Sequence, residues 1–290
     1  GTGLVGLELK SFIEEQGMEV RILSTQKHTE HSYWNPALQI VDKNLIFRAR
    51  HLIHLAGANI GLKRWSRKRK SELYNSRVES LNFLFNQFKS NSHCLESVIS
   101  SSATGYYGLQ TDEHVYTEND KSGDDFLGKL ARDWESSAFQ FNTIGIRTAV
   151  IRSGIVLSKN GGILKKLLPL FKLGLGSFQG SGKQYMPWIH MHDLCRIYFL
   201  GITNNSISGS YNAVAPCHTN NMNFNKELVS AVKRKIRVPP IPEWILKLTF
   251  GEMSSLITKG SKVSSEKLIA KGFQFNHTNL RIALNKILSN

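Results

Sequence analysis

Gly1-Thr2-Gly3-Leu4-Val5-Gly6 has the spacing G-x-G-x-x-G and runs directly into a helical pattern of apolar residues, Leu7, Leu9, Phe12 and Ile13, that stops at Gly17. Glycines at those three places let backbone N–H groups come close to a pyrophosphate, and the partial positive charge of a helix N-terminus adds to the attraction. The strand Glu19-Val20-Arg21-Ile22-Leu23 is predicted after the helix. The sequence starts at Gly1, so the strand that should precede the loop is expected upstream of it.

Working outward, short apolar strands alternate with helical patterns. Leu52–Ala56 reads as a strand closed by Gly57, and a long helix follows through Val78, Leu81, Leu84, Phe85 and Phe88. Ser97–Ser100 and Thr148–Arg152 read as strands on either side of a helix from about Phe126 to Phe141. Such alternation predicts an α/β protein, a doubly wound parallel-sheet Rossmann fold with a smaller C-terminal substrate-side lobe. The nucleotide-binding domain is expected over residues 1–158. Residues 159–290 are read as the substrate-side region, returning to the core near 188–216 and ending in a helical tail over 239–290. A helix with Leu164, Leu167, Leu168 and Phe171, a glycine-rich loop at 174–182 and a hinge at Pro239-Pro240-Ile241-Pro242 mark that half.

The residue about 20 positions beyond the loop reports the cofactor type. A carboxylate there binds a ribose 2′-hydroxyl, but this chain has Ser24-Thr25-Gln26-Lys27. Two hydroxyls and a cation suit a 2′-phosphate, so NADP(H) is the expected cofactor.

Composition narrows the remaining classes. The 290 residues carry a formal net charge of +15, with the densest basic run at Lys63-Arg64-Trp65-Ser66-Arg67-Lys68-Arg69-Lys70. No nucleic-acid reading motif accompanies it, so a solvated basic helix start is expected, or a field that draws in an anionic cofactor or substrate. Neither a nucleic-acid nor a membrane partner is expected. Cys94, Cys195 and Cys217 are scattered and unpaired in sequence, which suits small buried hydrophobes in a reducing, cytoplasmic protein.

Several stretches together resemble the atypical and extended short-chain dehydrogenase/reductases, in the branch of epimerase family proteins. They are Gly1–Gly6, Leu55-Ala56-Gly57-Ala58-Asn59-Ile60, Arg64-Trp65, Ser76-Arg77-Val78, Gly105-Tyr106-Tyr107-Gly108 and Asp133-Trp134-Glu135. Arg152–Leu157, Trp188-Ile189-His190, Asn212–Pro216, Gly251-Glu252 and Gly272-Phe273 continue the series in the same order. The resemblance implies NADP(H) contacts at Gly1, Thr2, Gly3, Leu4, Val5 and Gly6, at Ser24 and Thr25, at Leu55 and Ala56 beside Gly57, and at Glu72, Arg77 and Val156. It implies an oxidoreductase or epimerase-like enzyme, here on a small anionic substrate.

One element of that chemistry is absent. Reductases of this kind use a Ser, Tyr and Lys set, with Tyr-x-x-x-Lys on one helix so that the ammonium lowers the phenol pKa. Ser102 is placed for the serine role, with Ser101 beside it. The helix, however, reads Asp125-Phe126-Leu127-Gly128-Lys129-Leu130-Ala131, and no tyrosine in the chain has lysine four residues later. Three outcomes stay open: Tyr107 or Tyr106 supplies the acid with help from Lys129, His190 or His192 beside Asp193 does so, or the protein binds NADP(H) as a non-catalytic regulator or scaffold. The His190–Asp193 run shows no third ligand at metal-binding spacing, so no metal is expected.

Overall fold

In the computed structural model, which describes residues 1–27, 30–234 and 238–289, the first helix, α1 (Leu4–Glu15), begins inside the glycine loop and buries Leu9 and Ile13 one turn apart. Gly17, at φ +81°, takes the left-handed turn that ends it. The expected strand over Glu19–Leu23 is much shorter. Only β1 (Leu23–Ser24) forms a ladder, parallel to β2 (Ser32–Tyr33). Residues 19–22 join no ladder; Ser32 N–H donates to the Ile22 carbonyl, and the Gly1 amine to that of Leu23, the first ladder residue.

Helix α2 (Lys43–Arg48) is capped by Asp42 and leads to β3 (His51–His54). The long helix expected after it is interrupted. Helix α3 (Arg67–Tyr74) passes through a π-helical turn, Asn75–Glu79, into α4 (Ser80–Lys89). Side chains enter the backbone ladder there: Ser80 Oγ donates to Ser76 and Arg77 carbonyls, and Arg77 donates to the Leu73 carbonyl.

Then come β4 (Ser97–Ala103), β5 (Val115–Tyr116), α5 (Phe126–Phe139), β6 (Arg147–Ser153), β7 (Ile155–Ser158) and α6 (Gly162–Lys172). The second half continues with β8 (Trp188–His190), α7 (Met191–Thr203), β9 (Gly209–Ala213) and α8 (Asn221–Val232). The tail holds α9 (Glu243–Phe250), α10 (Ser255–Thr258), β10 (Lys262–Val263), α11 (Glu266–Ala270) and α12 (Leu280–Ser289). It is therefore not purely helical, since β10 pairs in parallel with β5 and ties the tail back to the first half.

The main sheet runs β3-β4-β6-β9, all parallel, with Ser100 opposite Val150 and Ile151 opposite Tyr211. Strand periodicity sorts its side chains to two faces. Val98 and Val150 enter one core with Leu73, Leu81, Leu84, Leu130 and Trp134 from α3, α4 and α5. Ile99, Ala149 and Ile151 enter another with Leu9, Ile13, Leu194 and Tyr198 from α1 and α7. This is the doubly wound arrangement. A third core, built on Leu164, Phe171, Trp188, Phe224, Leu228 and Leu284, packs α6, α8 and α12 beside the β7–β8 pair and forms the C-terminal lobe. The segment at Pro239–Pro242 is stitched to the glycine-rich loop, because Ser177 Oγ donates to the Pro239 carbonyl and Gly180 N–H to that of Ile241.

Cysteine placement departs from expectation. Cys195 is buried, but Cys94 and Cys217 are exposed, because both fall in loops outside the cores. No helix among the described residues is long and apolar enough to cross a membrane.

Candidate cofactor cleft and catalytic region

The glycine loop forms one wall of a cleft of about 970 Å³. Each glycine has a different reason to lack a side chain. A Cβ on Gly1 would stand 2.5 Å from Ile22 Cγ2, and one on Gly6 would collide with the Gly1 carbonyl oxygen. A Cβ on Gly3 would meet nothing within 4 Å, so the loop is open to an approaching group only there. Gly3 is also the N-cap of α1, no side chain caps the helix, and no acid sits in its first turn. The first-turn N–H groups and the positive end of the helix dipole thus lie beside the open side of the loop, which fits a pyrophosphate.

Gly1, Thr2, Gly3, Ser24, Thr25, Leu55, Ala56, Gly57 and Glu72 all line this cleft. Ser24 is buried and its Oγ accepts from Gln26 N–H, whereas Thr25 is exposed. Lys27 holds its ammonium 5.4 Å from the Tyr33 ring centroid. Lys68, from the basic run, is a further wall residue, and its positive charge suits a phosphate.

The remaining candidates stand behind the walls. Leu4 and Val5 pack toward the α1–α7 core, and Gly6 backs Gly1. Val156 lies in β7 against the same core. Arg77 braces the strand exit: it donates to the Ala58 and Leu73 carbonyls at 3.1 Å each and lies over the Trp134 ring. A Cβ on Gly57 would come 2.9 Å from the Arg77 guanidinium carbon, which explains that glycine without any ligand. Burial, with Arg69 nearby, lowers the Arg77 pKa to about 10. Glu72 is exposed and pairs with Arg69 at 2.6 Å, which holds its carboxyl below the usual range. Arg69 is itself buried and donates to the Asn59 carbonyl, so the basic run is not wholly a solvated face.

At the C-terminal ends of β4, β6 and β9 lies a closed polar network. Glu135 of α5 receives two hydrogen bonds from Arg152 at 2.8 Å, one from Ser102 Oγ at 2.7 Å and one from Ser210 Oγ at 3.1 Å. Arg152 also donates to Tyr107 OH at 3.0 Å, which in turn donates to Asn212 Oδ1 at 2.6 Å. Burial disfavours the Arg152 charge, but Glu135 more than offsets it and holds the guanidinium above its ordinary pKa. Burial likewise raises the Tyr107 phenol. Ser102 and Tyr107 are 2% and 1% exposed, so both hydroxyls are committed to this network and neither opens to the cleft. Tyr106 is half-buried, with the Arg152 guanidinium 3.4 Å from its ring centroid. On α5, Phe126 packs against Trp65 and under the Lys70 ammonium, Leu127, Leu130 and Ala131 are buried, and Lys129 points to solvent. Glu135, Arg152, Ser210 and Asn212 have no role from residue type alone, although all but Ser210 fall inside the stretches that carry the resemblance.

A second cavity, of about 470 Å³, opens between α1, the end of β7 and the start of α7. His190 and His192 line it. The N-cap of α7 is His190, whose Nδ1 accepts from His192 N–H, and Asp193 stands in the first turn. Burial, with His277 beside it, depresses the His190 pKa to about 4.

A model of the NAD dependent epimerase/dehydratase family matches residues 1–213. The chain belongs to that family. A second model, a domain of unknown function, matches residues 241–287, most of the tail of this family member. An epimerase family protein of Staphylococcus aureus is 34% identical over 294 residues, covering 100% of this chain and 97% of that protein. The crystal structure of human epimerase family protein SDR39U1, isoform 2, with NADPH is similar at a TM-score of 0.89 and 28% identity, over 100% of this chain and 97% of that one. A nucleoside-diphosphate sugar epimerase from Corynebacterium glutamicum aligns at a TM-score of 0.80 and 29% identity, over 98% of this chain and 56% of the other. The epimerase/dehydratase fold thus spans both the cofactor cleft and the C-terminal lobe.

Proposed function

We propose that the chain binds NADP(H) along the cleft and acts as an oxidoreductase or epimerase-like enzyme on a small anionic substrate. The observation that carries the cofactor assignment is the pairing of an open Gly3 cradle at an uncapped helix N-terminus with Ser24 and Thr25, rather than an acid, at the ribose end. The solved human relative with NADPH supports it. When bound, the nicotinamide supplies a hydride acceptor or donor. In this reading residues 1–158 hold the cofactor and 159–290 the substrate, within the cytoplasm. Gly1, Thr2 and Gly3, with the first turn through Leu4, Val5 and Gly6, hold the phosphates. Ser24 and Thr25 hold the ribose end, and Leu55, Ala56 and Gly57 let the cofactor pass. Glu72 accepts a hydrogen bond, while Arg77 and Val156 act by supporting the walls.

For catalysis, Ser102 and Tyr107 are assigned positioning roles through Glu135 and Arg152, and Tyr106, half-buried beside them, is the candidate acid. Thermal shifts with NADPH and NADH test the cofactor assignment. Preferential stabilisation by NADPH is expected, because a ligand stabilises the state it binds; equal shifts, or none, would overturn it.

A second reading, a non-catalytic NADP(H)-binding regulator, is favoured by one observation: the first turn of α5 presents no phenol, and the Ser102 and Tyr107 hydroxyls are already engaged. NADPH oxidation across a panel of carbonyl and nucleotide-sugar substrates separates the two. Turnover that falls in Tyr106→Phe supports the enzyme, whereas tight cofactor binding without turnover supports the regulator.

A further inference from the structure

We propose that His192, Asp193 and His277 form a site for a divalent cation of the zinc class, separate from the cofactor cleft. His192 and Asp193 stand in the first turn of α7, and His277 arrives from the segment between α11 and α12, 84 residues beyond Asp193. One ligand atom from each lies within 4.8 Å of the other two.

The geometry is half built already. His277 Nδ1 and Asp193 Oδ2 are 3.1 Å apart. Bonds of about 2.0–2.1 Å in a tetrahedral site place neighbouring ligand atoms roughly 3.3 Å apart, so this pair has the spacing of one tetrahedral edge. A cation seated there takes the place of the hydrogen now shared between them. With Nδ1 on the cation, the ring carries its N–H at Nε2. The third ligand must close in, and His192, whose side chain is exposed, would turn from its edge-on contact with Phe12 to do so.

The pair is also held in place. Asp193 Oδ1 accepts from Asn276 N–H and Arg196, and Oδ2 accepts from His277 N–H, so the carboxylate cannot swing away. The His190 ring stacks on His277 at 3.7 Å with a 12° angle between planes, which fixes the ring orientation. His190 is itself no ligand through Nδ1, which accepts from His192 N–H. Outer contacts of this kind orient ligands and strengthen metal binding. The cavity brings solvent to His192, the one of the three ligands that lines it. Its charged walls are mixed, with Glu8 and Glu15 against Lys159 and Lys286, while Asp193 counters the positive end of α7. Two imidazole nitrogens and one carboxylate oxygen select Zn²⁺-like borderline cations over Mg²⁺ or Ca²⁺.

Such an ion would pin the segment leading into α12 to the start of α7, across the boundary between the sheet core and the C-terminal lobe. The test is Zn²⁺ binding by the full chain in competition with a chromophoric chelator, comparing the wild type with His192→Asn, an exposed change that leaves the core intact. Tighter binding of one Zn²⁺ by the wild type, by about tenfold or more, is expected. A rise in Tm on adding Zn²⁺ that His192→Asn lacks, and a tetrahedral visible spectrum with Co²⁺ in the wild type only, are expected with it. His277→Gln should match His192→Asn if it folds. Equal Zn²⁺ affinity and stoichiometry in wild type and His192→Asn would overturn the proposal, as binding would then lie with other histidines. So would the absence of binding. NADPH stabilisation is read in the same samples and is expected to be unchanged, so failure here does not touch the cofactor assignment.

Discussion

The two glycines Gly3 and Gly6 look alike in the motif but answer to different constraints. Gly3 has an ordinary φ of −79° and open space where a Cβ would go, so the fold itself does not exclude a side chain there. Gly6 is excluded by the Gly1 carbonyl. Gly3→Glu should therefore leave the Tm of the free protein nearly unchanged while abolishing stabilisation by NADPH. Gly6→Ala should instead destabilise the free protein, by about 1–3 kcal/mol for an overpacked contact. Urea unfolding of both variants, with and without NADPH, checks the pair; loss of free-state stability in Gly3→Glu would contradict the open cradle. At the ribose end, Lys27→Glu should weaken NADPH more than NADH, read by titration of each. The acid would repel a 2′-phosphate and accept from a 2′-hydroxyl.

Among elements, the junction of α5 with β4, β6 and β9 depends on one ion pair. Arg152 and Glu135 have side chains only 3% and 5% exposed; Glu135 is further bound by Ser102 of β4 and Ser210 of β9, and Arg152 by Tyr107 just past β4. Removing one partner leaves an unpaired buried charge, which typically costs about 3–5 kcal/mol, whereas replacing both with apolar residues is often near neutral. Arg152→Met should thus be strongly destabilising, and the double variant Arg152→Met with Glu135→Met should recover much of the loss in chemical denaturation. If the double variant is as unstable as the single one, the Ser102, Tyr107 and Ser210 hydrogen bonds carry more of the junction than the charges do. The interrupted helix α3–α4 has a related logic. Its π-helical turn carries Ser76, which accepts from Ala58 N–H, and Arg77, so one irregular segment braces the cleft wall from behind.

For the whole molecule, acid stability follows from a buried histidine. His54 lies in the core, where Trp134 Nε1 donates to its Nδ1 at 3.4 Å and its Nε2 meets Ser80 Oγ at 3.0 Å, an arrangement that suits the neutral ring. Burial first, then the nearby positive charges, lower its pKa from 6.5 to about 3. Between those values the unfolded chain binds the proton that the folded one refuses. The His54 contribution is therefore complete above about pH 6.5 and is lost as pH falls toward 3, at up to about 1.4 kcal/mol per pH unit. Urea midpoints that decline from about pH 7 to 5 are expected, and a smaller decline in His54→Asn. A profile as steep in that variant would assign the acid sensitivity to other groups.

Local chemistry was enough for much of this protein. The alternation of apolar strands and helices, the glycine loop, the hydroxyls at Ser24 and Thr25 and the missing Tyr-x-x-x-Lys pair are all short-range patterns, because backbone freedom and helix or strand periodicity are decided within a few residues. Of Glu19–Leu23 only Leu23 found a ladder partner, Ser32, while the strand Lys262–Val263 inside the tail depended on the distant Val115–Tyr116. Only the tertiary structure decided what the polar side chains do. It turned Ser102 and Tyr107 inward to Glu135 and Asn212, drew Arg77 behind Gly57, and brought His277 against Asp193. Those outcomes turn on which buried polar groups find partners across the chain, and a hydrogen bond between residues up to 105 positions apart leaves no periodic trace in sequence.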